Sequence, residues 1–251
     1  MIKMFSILKK NWIDVFCYTN NINAYEYFPI RKARDFIPQW WKDIPNAMYD
    51  ESSNHRTQAF LKSTMKRCPG IMEYYKKGFM IPLWSDIEFI ITDDEDGNDI
   101  MMTHAADQTP IEPHPSYQKG SFLSSGDWFH NKLVSPWKIE TKEPLDFLYL
   151  QPHWNLNELN KNFVIPNGHI QFYEGNSSTH IQMFINKSSD QVINITAGTP
   201  ILHLVPLTEK KIKVHSIYDE DRFYKLEKKN DVYSFDKKYY RKKKDPLHNR
   251  L

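Results

Sequence analysis

From residue 133 onward, the sequence is a succession of short runs in which apolar and polar residues alternate. The runs are WKIETKEPLDFLYLQPHW, FVIPNGHIQFYE, STHIQMFINKSSDQVINITAGTPILHLVPL and KIKVHSIY. Alternation with a period of two puts successive side chains on opposite faces of a β-strand. Short strands separated by turn residues at this spacing are typical of sandwiches and barrels. The chain is therefore expected to be mainly β, of the α+β class, with a β-sandwich in its C-terminal half.

The stretch INITAGTPILHLVPL, residues 193–207, illustrates the pattern most clearly. It predicts a hairpin of two apolar strands joined by a turn. Gly198 suits the turn because glycine tolerates positive φ, and Pro200 suits the start of an edge, where no backbone N–H is needed. The apolar residues between 201 and 205 are expected to be buried on both faces of the last strand.

The N-terminal half mixes strand and helix signals. Residues 11–31 alternate on both sides of TNNIN, which predicts a hairpin with an asparagine-rich turn. A helix is predicted to begin at Pro69 and to end with Gly78 as a left-handed cap. A second hairpin is predicted around Asp96-Gly97, a favourable two-residue turn.

The domain organisation follows from these patterns. We expect an α+β half over residues 1–132, a β-rich half over 133–220 and a basic tail over 221–251. The segment 104–130 is irregular and long, and such loops usually carry function or an interaction surface. Because this segment is too aromatic for a linker, the two halves are expected to form one structural unit.

Net charge, cysteine content and the lack of long apolar runs limit the kinds of partner and location that are expected. The 251 residues carry 33 Lys and Arg against 31 Asp and Glu, a net charge of +2, so only the basic run from Lys237 to Lys244 favours nucleic acid. Cys17 and Cys68 are expected to be buried free thiols rather than a disulfide. No run has the ~20 apolar residues of a membrane span, and the first residues lack signal-peptide features, so an intracellular protein is expected.

The sequence assigns no metal, cofactor or catalytic residue. The histidines of the β-rich region and its entry loop are His104, His114, His130, His153, His169, His180, His203 and His215. His169 shares a strand face with Gln171, and His180 shares one with Gln182, but neither pair has the spacing of a metal site. The acidic run from Asp93 to Asp99 lacks the ligand order of a calcium loop.

An aromatic group offers the candidate binding residues. These are Trp84, Trp128, His130, Trp137, His153 and Trp154, which lie close to prolines and to the central loop in sequence. Large aromatic side chains line many ligand grooves, and they also fill cores and seams. The sequence leaves both interpretations open.

Two resemblances bear on the fold. The segment HIQMFINKSSDQVINITAGTPILHLVPL resembles the strand–turn–strand pattern of the dUTPase-like β-clip. The order of IPQWWKDIP, KRCPGIMEYYKKGFMIPLW, LYLQPHW and NGHIQFYE, over roughly residues 29–214, is similar to a family of uncharacterised proteins from tailed phages and bacteria. The segment 167–174 lacks that family's aspartates, and no glycine-rich phosphate loop is present. The resemblances therefore imply a β-clip-like fold rather than dUTPase chemistry.

Three functions follow as expectations. The first is a non-enzymatic phage-type structural or interaction protein, located in a virion or the host cytoplasm and closing as a homo-oligomer, with a trimer as one arrangement. The second is a small-molecule binding protein or enzyme, nucleotide- or metal-dependent, with its pocket between the central loop and the sandwich. The third is a host-directed effector that binds one bacterial protein.

Overall fold

The computed structural model describes residues 11–49, 61–107, 110–114, 128–173, 177–187 and 192–235, and it is mainly β. The predicted α+β class is therefore confirmed. The strands are β1 (Trp12–Thr19), β2 (Arg31–Lys32), β3 (Ala47–Tyr49), β4 (Leu61–Ser63), β5 (Phe79–Pro82), β6 (Ile87–Asp93), β7 (Asp99–Ala105), β8 (Ile111–Pro113), β9 (Trp128–Leu133), β10 (Trp137–Thr141), β11 (Asp146–Leu150), β12 (Phe163–Val164), β13 (Gly168–Gln171), β14 (Ile181–Asn186), β15 (Val192–Ile195), β16 (Pro200–Pro206) and β17 (Lys211–Tyr218).

Five α-helices are found in the described part of the chain. They are α1 (Ile22–Glu26), α2 (Gln39–Asp43), α3 (Pro69–Lys76), α4 (Glu158–Asn162) and α5 (Glu220–Phe235). Helix α3 is the predicted one: Pro69 lies in its first turn, and Gly78 follows its end with φ of +78°. No described helix is both long enough and apolar enough to cross a bilayer.

Strand β1 is the middle strand of sheet 1, whose order is β10-β1-β17. It pairs antiparallel with β10 and parallel with β17. The predicted hairpin over residues 11–31 is therefore wrong. The asparagines after β1 begin a helix instead, because the Asn21 side chain accepts a hydrogen bond from the N–H of Ala24 at 2.9 Å and caps α1.

The predicted hairpin over 193–207 is also wrong in its pairing. Strand β15 pairs with β6 in sheet 4 (β15-β6-β7), whereas β16 lies between β11 and β5 in sheet 2 (β13-β11-β16-β5-β2). Gly198 has φ of +85°, as predicted for the turn, and its N–H donates to the carbonyl of Leu83 at 2.7 Å. Pro200 begins β16 beyond the part of this strand that pairs with β11. The N–H that proline lacks is therefore not needed for a hydrogen bond to β11. The turn thus passes the chain from one sheet to another.

Sheet 3 has the order β12-β14-β9-β8, and β3 pairs with β4 in a fifth, two-stranded sheet. The hairpin predicted around Asp96-Gly97 is confirmed as β6 and β7. Sheets 1 to 4 each combine strands from both sides of residue 133. The position chosen as the boundary between halves therefore does not separate one set of sheets from another.

Two clusters of buried side chains hold the sheets together. The larger one includes Val15, Trp137 and Leu202, and it joins the inner faces of sheets 1 to 4. The smaller one is built around Phe36 and Tyr75, under α3. Burial of this apolar area is the dominant stabilising contribution to such a fold.

The region predicted as a tail begins with a helix. Helix α5 packs on the outer face of sheet 1 through Phe223 and Leu226, which are buried. The basic run from Lys237 to Lys244 lies outside the described residues.

Both cysteines are free thiols, as predicted. Cys68 is exposed, contrary to the prediction that both are buried. Cys17 is buried, and burial raises the pKa of its thiol.

Candidate functional site: a histidine-lined groove

The six predicted binding residues occupy three separate places. Trp84 and Trp137 are 3% and 0% exposed and belong to the larger core cluster. Trp154 packs against the smaller cluster, and its carbonyl accepts a hydrogen bond from the Trp40 indole at 3.1 Å, while the neighbouring His153 is exposed. Proximity in sequence did not bring these side chains into one groove, because the sheets carry them to different cores.

Trp128 and His130 occupy the third place, the outer face of β9. Alternate residues of this strand share that face, so Lys132 lies there too. Cross-strand pairing with β14 sets Asn186 opposite Trp128 and Phe184 opposite His130. The opposite face of both strands is buried in the core, which fixes this face toward the exterior.

A groove of about 380 Å³ lies against this face, between β14 and the edge strand β13. We call it the histidine groove; its lining residues are His130, Tyr149, Pro166, Asn167, Gly168, His169, Ile170, His180, Gln182 and Phe184. Sheet 3 supplies one wall and sheet 2 the other. The Tyr149 hydroxyl joins the walls, since it donates to the His180 carbonyl at 2.8 Å.

Three rings stack beside the groove, one on β9, one on β14 and one on the residue that follows β8. The ring centroids of His114 and His130 are 4.4 Å apart with an interplanar angle of 15°, and those of His130 and Phe184 are 4.3 Å apart at 13°. Strand pairing sets this geometry, because the N–H of His114 donates to the carbonyl of His130 at 2.9 Å and Phe184 is the direct partner of His130. The His130 ring is therefore held between the rings of His114 and Phe184, and Phe184, at one end of the stack, lines the groove.

Gln182 fixes the protonation pattern at the centre of the stack. Its Oε1 lies 2.7 Å from His130 Nε2, and an amide oxygen only accepts, so Nε2 of His130 carries the proton. The Gln182 NH₂ group is the part of the amide that remains to donate to a ligand. The groove therefore presents a fixed polar group beside a ring surface, the combination that orients small molecules in most binding sites.

His180 is neutral at physiological pH. Burial lowers the pKa of its imidazole to about 4, and the positive charges of Lys138 and Lys132 act in the same direction, against a smaller effect of Glu112. Its Nδ1 has no hydrogen-bond partner among the described residues. Lys132 itself forms an ion pair with Glu112 on the neighbouring strand. The groove thus lies in an environment with little net charge.

Of the residues that line the groove, the sequence offered only His130 as a candidate binding residue; Trp128 shares its strand face but is not part of the described lining. The missing signal was present in STHIQMF, where His180, Gln182 and Phe184 alternate with core residues and so share a strand face. Pairing between β14 and β9 is what brings this face to His130. No group of three His, Cys, Asp or Glu side chains suited to a metal ion occurs within the described ranges.

A second cavity, of about 660 Å³, lies where α5 meets the end of sheet 1. Trp84 lines it, together with Asp107, Pro110, Tyr224 and Glu227. It borders the central segment through Asp107 and Pro110. Asp107 accepts a hydrogen bond from the Asn21 side chain at 3.3 Å, and Tyr224 accepts one from Asn20 at 3.2 Å, so its polar walls are already hydrogen-bonded to one another.

Comparisons of the chain with protein-family models, with curated proteins and with solved structures give no match. The resemblance to phage and bacterial proteins therefore remains a prediction.

Proposed function

We propose that the protein binds a small, uncharged, planar heterocycle, of the size of a nucleobase, in the histidine groove. The observation that carries the proposal is the parallel stack of His114, His130 and Phe184 next to the Gln182 amide. A flat ligand can contact the Phe184 ring at the end of the stack and the ring edge of His130, and one amide donor selects for a ring with an acceptor atom.

The lack of charged side chains in the described lining of the groove supports an uncharged ligand. Its described lining residues include no Asp, Glu, Lys or Arg, and His180 is neutral because its pKa is lowered to about 4. A phosphate or carboxylate buried here would lose its hydration without gaining an ion pair. We therefore expect free bases and nucleosides to bind better than the corresponding nucleotides.

The proposal is tested by titrating the protein with adenine, uracil, guanosine, uridine and uridine monophosphate. Binding is followed by calorimetry and by the imidazole C2–H resonances of His130 and His180. We expect at least one neutral compound to bind and to shift both resonances, and the monophosphate to bind more weakly. If none of these compounds moves either resonance at millimolar concentration, the proposal is wrong.

Gln182→Leu provides the matched variant, because it removes the amide donor and keeps the approximate volume. Loss of one such hydrogen bond is expected to weaken binding by roughly 2- to 10-fold. Gln39→Leu is the control, since Gln39 is exposed on α2, outside the groove. Equal affinities of Gln182→Leu and wild type would show that the amide has no role in recognition.

A second candidate function, as an interaction or assembly protein of the phage type, is favoured by exposed tyrosines. Tyr25, Tyr27, Tyr218 and Tyr224 are 38% to 67% exposed, and the rings of Tyr25 and Tyr218 are 6.2 Å apart. Tyrosine is enriched at the centres of protein interfaces. Virion assembly, homo-oligomerisation and binding of a host protein are forms of this second candidate.

Light scattering after size-exclusion chromatography tests the homo-oligomer. We expect Tyr27→Ser/Tyr224→Ser to reduce the oligomer mass, and Met48→Ser/Met65→Ser, which changes two other exposed apolar residues, to leave it unchanged. A wild-type protein that is monomeric at every concentration would exclude this form, and mass spectrometry of purified virions would then test the assembly role directly.

A further inference from the structure

Half of the described residues that line a third cleft, of about 420 Å³, are basic. The cleft lies between the end of β2, the end of α3 and the turn that joins β16 to β17. Its basic residues are Lys32, Arg34, Lys76, Lys77, Lys210 and Lys211, and Glu209 is the one acidic residue of the described lining.

Four of these six charges have an ion-pair partner. Lys77 lies 3.8 Å from Glu209 and Arg34 lies 3.9 Å from Asp35, while Lys76 pairs with Glu73 and Lys210 pairs with Glu143, all at the surface. Lys32 and Lys211 take part in no ion pair with a described carboxylate. Close positive charges of this kind repel one another and raise the local concentration of anions.

The cleft borders an edge strand of sheet 1. This strand is β17, and its Ile212 and Val214, which lie on the inner side beside Ile13 and Val15, line the cleft. Its alternate residues, Lys211, Lys213 and His215, share the outer face of the sheet with Phe16 and Tyr18 of β1. A chain that leaves the cleft must therefore pass round the β17 edge, over Lys211 and Lys213, to reach these rings.

The rings on this face lie close together and carry cations. The Phe16 ring centroid is 6.3 Å from that of Tyr18 and 5.2 Å from that of His215. Lys142 Nζ lies 5.2 Å from the Phe16 ring centroid, and Lys213 Nζ lies 4.0 Å from that of Trp12. Asp14 is hydrogen-bonded to His215 and Glu140 pairs with Arg222, so neither carboxylate is the partner of Lys142 or Lys213, which have no ion pair with a described carboxylate.

We propose that this surface binds single-stranded nucleic acid, with phosphates in the basic cleft and bases packed against Phe16 and His215. Tyr18 lies under Arg222 of α5 and takes no part in this contact. Charge complementarity selects a polyanion, and the aromatic row selects one that carries flat, unpaired bases. A duplex buries its bases and an acidic peptide has none, so both would use only the cleft. The proposal is independent of the ligand proposed for the histidine groove.

The test measures fluorescence anisotropy of the full chain with a labelled 15-nucleotide thymidine oligomer over a range of salt concentrations. Matched duplex DNA, polyglutamate and vesicles with anionic lipids are the competitors. We expect the single strand to bind with salt-dependent affinity and the three competitors to displace it poorly. No detectable binding at low salt, or equal displacement by polyglutamate, would overturn the proposal.

Two variants separate the parts of the surface. Lys32→Gln/Lys211→Gln is expected to lower the slope of log affinity against log salt by about 1.4, since each phosphate contact on a single strand contributes about 0.7. Phe16→Leu is expected to weaken binding by roughly 5- to 150-fold at every salt concentration, as for the loss of one stacked base, with the slope unchanged.

Arg67→Gln/Lys161→Gln is the control, because it removes two exposed positive charges from other parts of the chain. Circular dichroism melting confirms that each variant is folded. If the lysine variant behaves like this control and Phe16→Leu binds like wild type, nucleic acid is held elsewhere, for example by the basic run from Lys237 to Lys244, and the proposal fails.

Discussion

His203 is expected to make the protein markedly less stable in mild acid. The side chain lies on β16, is 0% exposed, and stacks edge-on against Tyr74 with ring centroids 4.5 Å apart. Its Nε2–H donates to the carbonyl of Lys77 at 2.8 Å, and its Nδ1 has no partner among the described residues. Burial lowers the pKa of this imidazole to about 4, while the hydrogen bond to Lys77 acts weakly in the opposite direction.

The magnitude follows from proton linkage. The pKa of a histidine in the unfolded chain is 6.5, so the unfolded state binds a proton between pH 6.5 and 4 while folded His203 stays neutral. The stabilising contribution of neutral His203 is complete above pH 6.5 and is lost as the pH falls toward 4. At ~1.4 kcal/mol per pKa unit, the full loss is about 3 kcal/mol, and most of it has occurred near pH 4.5.

His203→Gln isolates this effect, because glutamine does not titrate and its amide can still donate to the Lys77 carbonyl. Urea denaturation, followed by tryptophan fluorescence, gives the free energy of unfolding near pH 7.5 and near pH 4.5. We expect the wild type to lose about 2 kcal/mol more than His203→Gln between the two pH values. Contributions from other groups, including His180, cancel in this difference.

His153→Gln is the control, since His153 is exposed. It should keep the wild-type pH dependence. If His203→Gln and wild type lose the same free energy of unfolding on acidification, burial does not keep His203 neutral and the prediction is wrong.

Three further stability predictions are open to urea denaturation. Gly78→Ala should lower the free energy of unfolding by about 3 kcal/mol or more, because the new Cβ would lie 2.1 Å from a backbone carbonyl oxygen. Gly198→Ala has a similar φ, but its Cβ would meet only a ring at 3.5 Å, so it should lower the free energy of unfolding by about 1–2 kcal/mol. Equal losses would contradict this prediction. Glu227→Gln should destabilise the protein by about 1 kcal/mol, because it removes the carboxylate that lies 3.4 Å from the buried Lys138 ammonium. Lys138→Met removes the buried charge itself and should destabilise the protein less. The reverse order would refute this prediction. Asn21→Ala should cost ~1 kcal/mol through loss of the α1 cap, and an unchanged midpoint would argue against the cap.

Local patterns in the sequence predicted faces better than partners. The alternation in β1 put Ile13, Val15 and Cys17 on one side of the strand, and this side is the buried one. It could not show that β17, rather than the nearest following strand, pairs with β1. Alternation depends on which side is buried, whereas pairing depends on contacts between residues far apart in the chain.

Helix α5 was missed for a related reason. Its described side chains include only two buried apolar residues, Phe223 and Leu226, among charged neighbours. Such a sequence resembles a solvated tail. The helix is held by tertiary contacts, including the ion pair between Arg222 and Glu140, which no local pattern reveals.

The histidine groove was half predictable. His130 stood out as a histidine among tryptophans, and the shared face of His180 and Gln182 was visible in the alternation. The contact between these two groups arises only from the register of β14 against β9. A one-residue slip would turn every one of these side chains into the core.

The parallel pairing of β1 with β17 has a consequence for synthesis of the chain. Val15 lies opposite Val214, about 200 residues later. At roughly 5–20 residues per second, the ribosome makes β17 some 10–40 s after β1. During that interval β1 lacks the neighbour on one of its two edges, and its apolar side is not yet enclosed. Sheet 1 is therefore expected to close only after translation has passed residue 218, and nascent chains stalled before that point should be the ones that chaperones retain.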